Sequence, residues 1–355
     1  MPARTQEKLR DLKAELLDLL DLTASDPAQR EIRSELAARM DEITEASAGL
    51  ADPARPQVRY RVITGVLEAA EPLLAALRPD RLRERVEEFQ LRNRSLDVDD
   101  FGMDPAFITQ IQPIIDFLYD RWFRVNPIGI DNVPHQGKAI LVSNHSGALP
   151  YDAVMISHAI LRASEGRRLP RFLIDNVFSN SLFMGPLFAR GGMVRASQEN
   201  ARRLLDQNEI VGVFPEGMRG LAKLYRQRYQ LQRFGRGGFI KLAVRSKAPI
   251  VPVAVTGAEE IMPLISRGGW LSKALGFSYF PVTPMWPLLG PLGLVPLPTA
   301  WSVRFGKPID LSGYSEKDLE DEILVTGLKE QVRATVQEML YDLLKERKNV
   351  FVRGE

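Results

Sequence analysis

The chain has 355 residues, 45% of them apolar and 26% charged, the balance of a folded globular protein rather than a disordered one. It has no cysteine, which excludes disulfides and thiolate metal sites, and its three histidines (His135, His145, His158) are too few for a histidine-rich centre, so no metal is expected. The net charge of +2 is unevenly spread: residues 161–247 carry 17 basic against 6 acidic side chains, which points to an anionic partner or to a solvated arginine-rich face.

Met1-Pro-Ala-Arg-Thr-Gln-Glu-Lys8 has charge but no following apolar core, so it does not read as a secretory signal. Leu9, Leu12, Leu16 and Leu20 recur at helical spacing. A second helix is predicted from about Pro27 to Ala46 with Asp26 as its N-cap, and a third from about Gln57 to Leu77, ended by Pro79. Residues 1–100 thus read as a helical N-terminal region without a polar constellation that suggests chemistry. The segment Asp99 to Pro105 then leads into a helix ending near Trp122 and Phe123.

From about Val125 the pattern changes. Short apolar runs at Lys138–Ser143, Arg171–Ile174, Ile210–Phe214 and Ile250–Val255 read as buried strands. Between them, Asp152–Leu161, Glu199–Asp206 and Phe239–Ser246 read as helices, and Trp301–Ile309 as a final strand and turn. This alternation predicts an α/β domain over residues 125–310, a mostly parallel sheet flanked by helices. A C-terminal helical segment, 311–355, follows, with its helix from about Ser315 to Arg347.

The chemistry gathers at two strand ends. His145 lies just past the first strand, where α/β sheets present functional groups, and Asp152 opens the next helix. A carboxylate on one ring nitrogen fixes the tautomer, so the other nitrogen takes a proton from an alcohol. The plainer alternative is a helix-capping Asp152 beside a loop histidine. Ser143 and Ser146 flank the histidine, but no Gly-x-Ser-x-Gly elbow supports a serine hydrolase. The second strand end is Phe214-Pro-Glu-Gly-Met-Arg219. There Gly217 permits a tight turn, Arg219 suits a phosphate or carboxylate, and Glu216 suits a hydroxyl acceptor or Arg219 itself.

In these blocks the chain resembles the glycerolipid acyltransferase family, which carries Asn-His-x4-Asp, an arginine, Phe-Pro-Glu-Gly-x-Arg and an Ile/Val-Pro-Val strand in that order. Here they are Asn144-His145, Arg195, Phe214–Arg219 and Ile250-Val-Pro-Val253, spanning roughly residues 125 to 310. This chain departs in having six residues, not four, between His145 and Asp152. The resemblance implies acyl transfer from acyl-CoA or acyl carrier protein to a hydroxyl of a glycerolipid such as lysophosphatidate, or of glycerol phosphate. His145 would be the base and Asp152 its orienting group, with no cofactor beyond the donor. Glu216, Gly217, Arg219, Arg195 and Lys241 would bind substrate. A neutral monoacylglycerol or diacylglycerol acceptor stays open, as does a lipid-binding scaffold that has lost catalysis.

Lys223, Arg226, Arg228, Arg233 and Arg236 follow the second block and suit nucleotide phosphates, an acidic carrier protein or anionic headgroups, or form a solvated loop near the site. No nucleic-acid-binding motif accompanies them, so no nucleic acid is expected. Residues 274–303 carry no charge and include Phe277, Tyr279, Phe280, Trp286 and Trp301, but six prolines forbid a spanning helix. The stretch reads as monotopic contact with a membrane interface or as a wall of an acyl pocket. The expected location is cytoplasmic, peripheral on a membrane surface.

Overall fold

A computed structural model describes residues 98–146, 149–181, 184–266, 283, 295–347 and 349–350, all within the compact unit Leu91–Glu355. The helices expected before residue 98, most of the uncharged stretch 274–303, and Gly147 and Ala148 in the His–Asp loop lie outside the described residues.

Asp104 starts helix α1 (Pro105–Phe117) as an N-cap, its carboxylate accepting from Ala106 N at 3.0 Å and Phe107 N at 3.2 Å. A π-turn at Leu118–Trp122 follows. The strands are β1 (Asn126–Ile128), β2 (Ala139–Ser143), β3 (Arg171–Ile174), β4 (Val194–Arg195), β5 (Ile210–Val213), β6 (Ile250–Thr256) and β7 (Ser302–Phe305). Between them run α2 (Tyr151–Ala163), α3 (Asn176–Ser179), α4 (Met184–Arg190), α5 (Gln198–Asp206), α6 (Met218–Leu221) and α7 (Gly238–Ser246), and α8 (Glu322–Glu346) closes the chain.

The sheet order is β1-β7-β6-β2-β5-β3-β4. Strands β6, β2, β5, β3 and β4 are mutually parallel, as the alternating pattern predicts, while β7 runs antiparallel to β6 and carries β1 parallel to itself. The β6–β7 register begins at Val253 with Phe305, so Pro252, which has no N–H to give, stands just outside that ladder.

Every residue of β2 is buried because helices cover both faces. Ile140 and Val142 join the core beneath α5, α7 and α8; Ala139 and Leu141 join the opposite core with Met155 and Ile156 of α2. The last helix begins at Glu322 rather than near Ser315. Asp318 turns back to accept from Ser315 N and Oγ at 2.7 and 2.8 Å, closing a 3-10 turn (Lys317–Glu320), and Asp321 then caps α8.

Trp301 corrects the reading of the uncharged stretch at its C-terminal end. It is buried, stacked on Phe123 with ring centroids 4.6 Å apart, and its Nε1 donates to Thr299 Oγ1, so it is a core side chain rather than an interface one. Among the described residues no helix is long and apolar enough to cross a membrane.

Candidate active site

Because β2, β5, β3 and β4 are parallel, the residues that follow them meet at one edge of the sheet. His145 comes two residues after β2, Asp175 one after β3, Ala196 one after β4, and the Phe214–Arg219 block directly after β5. Asn144 anchors the first of these. Its amide donates to Val255 O at 3.0 Å and accepts from Val255 N at 2.8 Å, extending the β2–β6 ladder through a fully buried side chain.

The six-residue loop brings Asp152 back to the histidine. His145 Nδ1 lies 2.7 Å from Asp152 Oδ2, and the same oxygen accepts from Ser146 N at 3.0 Å. Asp152 is buried in the first turn of α2. A carboxylate can only accept, so in the tautomer where Nδ1 donates to Asp152 the lone pair stays on Nε2. Ser143 is fully buried within β2, so it offers no exposed nucleophile.

An aromatic stack and a backbone bond further fix His145. Its ring stacks on Phe214 at 4.0 Å and 8°, and Phe214 stacks on Phe172 at 5.0 Å. Phe172 fits only because residue 212 is glycine, where a Cβ would stand 2.5 Å from its ring. The His145 backbone N–H donates to Glu216 Oε1 at 2.9 Å.

Glu216 therefore holds the turn, and no contact of it with Arg219 is found among the described residues. It is buried, its Oε2 accepts from Gln232 N at 2.7 Å, and Lys223 Nζ stands 3.3 Å away. Lys223 is likewise no exposed member of the basic cluster: it is ion-paired with Glu216 and, at 2.8 Å, with Glu259. Burial works against its charge, but the two carboxylates outweigh that and raise its pKa, while burial raises that of Glu259. Arg226, Arg228, Arg233 and Arg236 remain exposed.

Gly217 takes φ 55° and ψ −144°, a conformation that glycine adopts readily, and lines a cavity of ≈ 150 Å³ in front of His145. Leu173, Ile174, Asp175, Phe188, Phe214 and Met218 share that lining; among the described residues no lysine or arginine does. A second, apolar cavity of ≈ 250 Å³ lies between α1, α2 and α4 and shares Phe188 as a lining residue with the first. Arg219 is exposed and makes no ion pair among the described residues. Arg195 is also exposed, its Nε held by Asn176 Oδ1 at 2.7 Å. Lys241 is not brought to the cavity: it sits on α7 with Glu322 at 3.6 Å. Among the described residues no group of three histidines, aspartates or glutamates is arranged to hold a metal.

The roles of Asn144, Phe214, Gly220 and Lys223 escape sequence reasoning. The one local signal there is Gly217, which permits a tight turn.

The family model for acyltransferases matches residues 124–256. An uncharacterized protein of Mycobacterium tuberculosis is 43% identical over 255 residues, covering 72% of this chain and 71% of that protein. The chloroplastic phytyl ester synthase 1 of Arabidopsis thaliana is 26% identical over 245 residues, 62% of this chain and 34% of that one. The crystal structure of a 1-acyl-sn-glycerophosphate acyltransferase from Thermotoga maritima aligns over 81% of this chain and 97% of its own, with 16% identity and a TM-score of 0.44.

Proposed function

The chain belongs to the acyltransferase family, and on that premise we propose that it moves a fatty acyl group from acyl-CoA or acyl carrier protein to a hydroxyl of a glycerolipid acceptor. The observation that carries this reading is the His145–Asp152 contact at 2.7 Å beside an apolar-walled cavity. A contact this short also argues against a scaffold that has lost its catalytic pair.

In the proposed reaction His145 Nε2 takes the acceptor's hydroxyl proton as its oxygen attacks the thioester carbonyl. Asp152 stabilises the imidazolium that forms. Collapse of the tetrahedral intermediate breaks the carbon–sulfur bond, and the proton leaves with the thiol. The acceptor attacks directly, so no acyl-enzyme forms. The apolar cavity beyond Phe188 suits the acyl chain.

Arg219, exposed and adjacent to the cavity-lining Met218, is the proposed contact for a phosphorylated acceptor such as lysophosphatidate or glycerol phosphate. A neutral monoacylglycerol, diacylglycerol or other alcohol is the second reading, favoured by the lack of lysine and arginine among the described lining residues. Peripheral association with a cytoplasmic membrane surface through the exposed arginines belongs to the same proposal. Mass spectrometry of products from acyl-CoA with glycerol phosphate, lysophospholipids, monoacylglycerol and diacylglycerol decides the acceptor. Ester formed on phosphate-bearing acceptors only supports the first reading, and ester formed on neutral acceptors only replaces it with the second.

A further inference from the structure

Behind the imidazole the fold buries a charge that the reaction itself does not use. The Lys223 side chain is 3% exposed, four residues past Arg219, with Nζ 2.8 Å from Glu259 Oε1 and 3.3 Å from Glu216 Oε2. Each carboxylate is also tied to backbone. Glu216 accepts from His145 N and Gln232 N, and Glu259 accepts from Tyr229 N at 3.0 Å. A buried ion pair of this kind is costly to desolvate and contributes little net stability, so its retention beside a reacting group points to geometry rather than to folding energy.

The bond from Glu216 to the His145 backbone is the only route by which this cluster reaches the imidazole among the hydrogen bonds described. Without the ammonium, Glu216 would hold an unbalanced negative charge against the histidine and would lose one of the groups that fix its position.

We propose, on the reading of His145 as the base, that Lys223 is a positioning residue: its ammonium neutralises and fixes Glu216, which in turn sets the place and proton affinity of the His145 ring. The charged groups tied to His145 or its cavity are Asp152 from the start of α2, Asp175 after β3, and Glu216, which bonds the His145 backbone and is backed by Lys223 and Glu259. Arg219 of α6 stands next to the cavity-lining Met218. Lys223→Met makes this set more negative and favours the imidazolium. Glu259→Gln makes it more positive and disfavours it.

The chain has three histidines, so a protein labelled with 15N-histidine gives few ring signals, and His145 is assigned by the signal lost in His145→Ala. The full-length protein is titrated by NMR in the wild type, Lys223→Met, Lys223→Arg and Glu259→Gln. We expect the His145 midpoint to rise by about one pH unit in Lys223→Met, a shift of the size that a newly unbalanced neighbouring charge produces. It should fall in Glu259→Gln and return to the wild-type value in Lys223→Arg. A merely structural role would lower thermal stability and leave the midpoint in place. If Lys223→Met does not fold, the nearly isosteric Glu259→Gln carries the same test with the opposite sign. Midpoints unmoved in every folded variant overturn the role of Lys223 alone. Turnover retained in His145→Ala overturns the reading of the base alone.

Discussion

Gly220 approaches His145 so closely that a Cβ built on it would stand 2.9 Å from the His145 Cβ, and equally 2.9 Å from that of Glu216. The short helix α6 is thereby pressed against the strand-end that carries the imidazole. Both neighbours are Cβ atoms next to backbone, so neither swings aside as a flexible side-chain tip would. Gly220→Ala should therefore cost about 1–3 kcal/mol of stability through overpacking and should lower turnover by displacing the ring. Denaturant unfolding and a steady-state assay measure the two effects, and an alanine variant with wild-type values in both would refute the close approach.

Asn144 stands in for backbone, bonding Val255 N and Val255 O in the interior. Asn144→Ala leaves both groups of Val255 without those partners, so it should cost about 2–4 kcal/mol. Protection of the Val255 amide in hydrogen exchange should fall with it. A loss below about 0.5 kcal/mol would mean that the ladder does not need the side chain.

His158, on α2 but away from the cavity before His145, offers a pH test. Burial foremost, then the positive charge of Arg162, push its imidazole below its usual 6.5, although Asp116 accepts from or faces Nε2 at 2.8 Å. The unfolded chain then takes up a proton near 6.5 and the folded one only at lower pH. The stabilising contribution is thus complete above 6.5 and is lost as pH falls through the window beneath it. Unfolding free energy should decline there with a slope of up to about 1.4 kcal/mol per pH unit. His158→Gln should flatten that slope; an identical decline in the variant would assign it elsewhere.

Much of this architecture was legible in the residues. The unbroken apolar run Ala139–Ser143 can only be a covered strand, and β5 and β6 follow the same logic. Strand β1 was missed because it is three residues long with Pro127 inside it, and β4 because it has only two residues. The site was half legible. His145 and Asp152 could be paired from chain order, but whether a six-residue loop closes their gap is a matter of three-dimensional path. Lys223 looked solvated because exposed arginines follow it in sequence, but it is buried and paired with Glu216 and with Glu259 from beyond β6. Trp301 could be read either as an interface or as a buried side chain: its neighbours in sequence are apolar and lie at the end of the uncharged stretch, while its partner in space is Phe123.

Asp152→Asn separates an orienting carboxylate from a plain helix cap. The amide oxygen can still accept from Ser146 N, so the fold should persist, but an amide neither stabilises an imidazolium nor holds the same tautomer. Turnover should fall by about a hundredfold or more with little change in melting temperature. A loss of less than about threefold would leave Asp152 as a structural cap only.

The most direct measurement is the rate of ester formation from acyl-CoA and the best glycerolipid acceptor, compared between the wild type and His145→Ala at equal folded concentration. The proposed base requires a loss of about 10²–10⁴-fold with the melting transition intact. Ester formed by His145→Ala at the wild-type rate would contradict it.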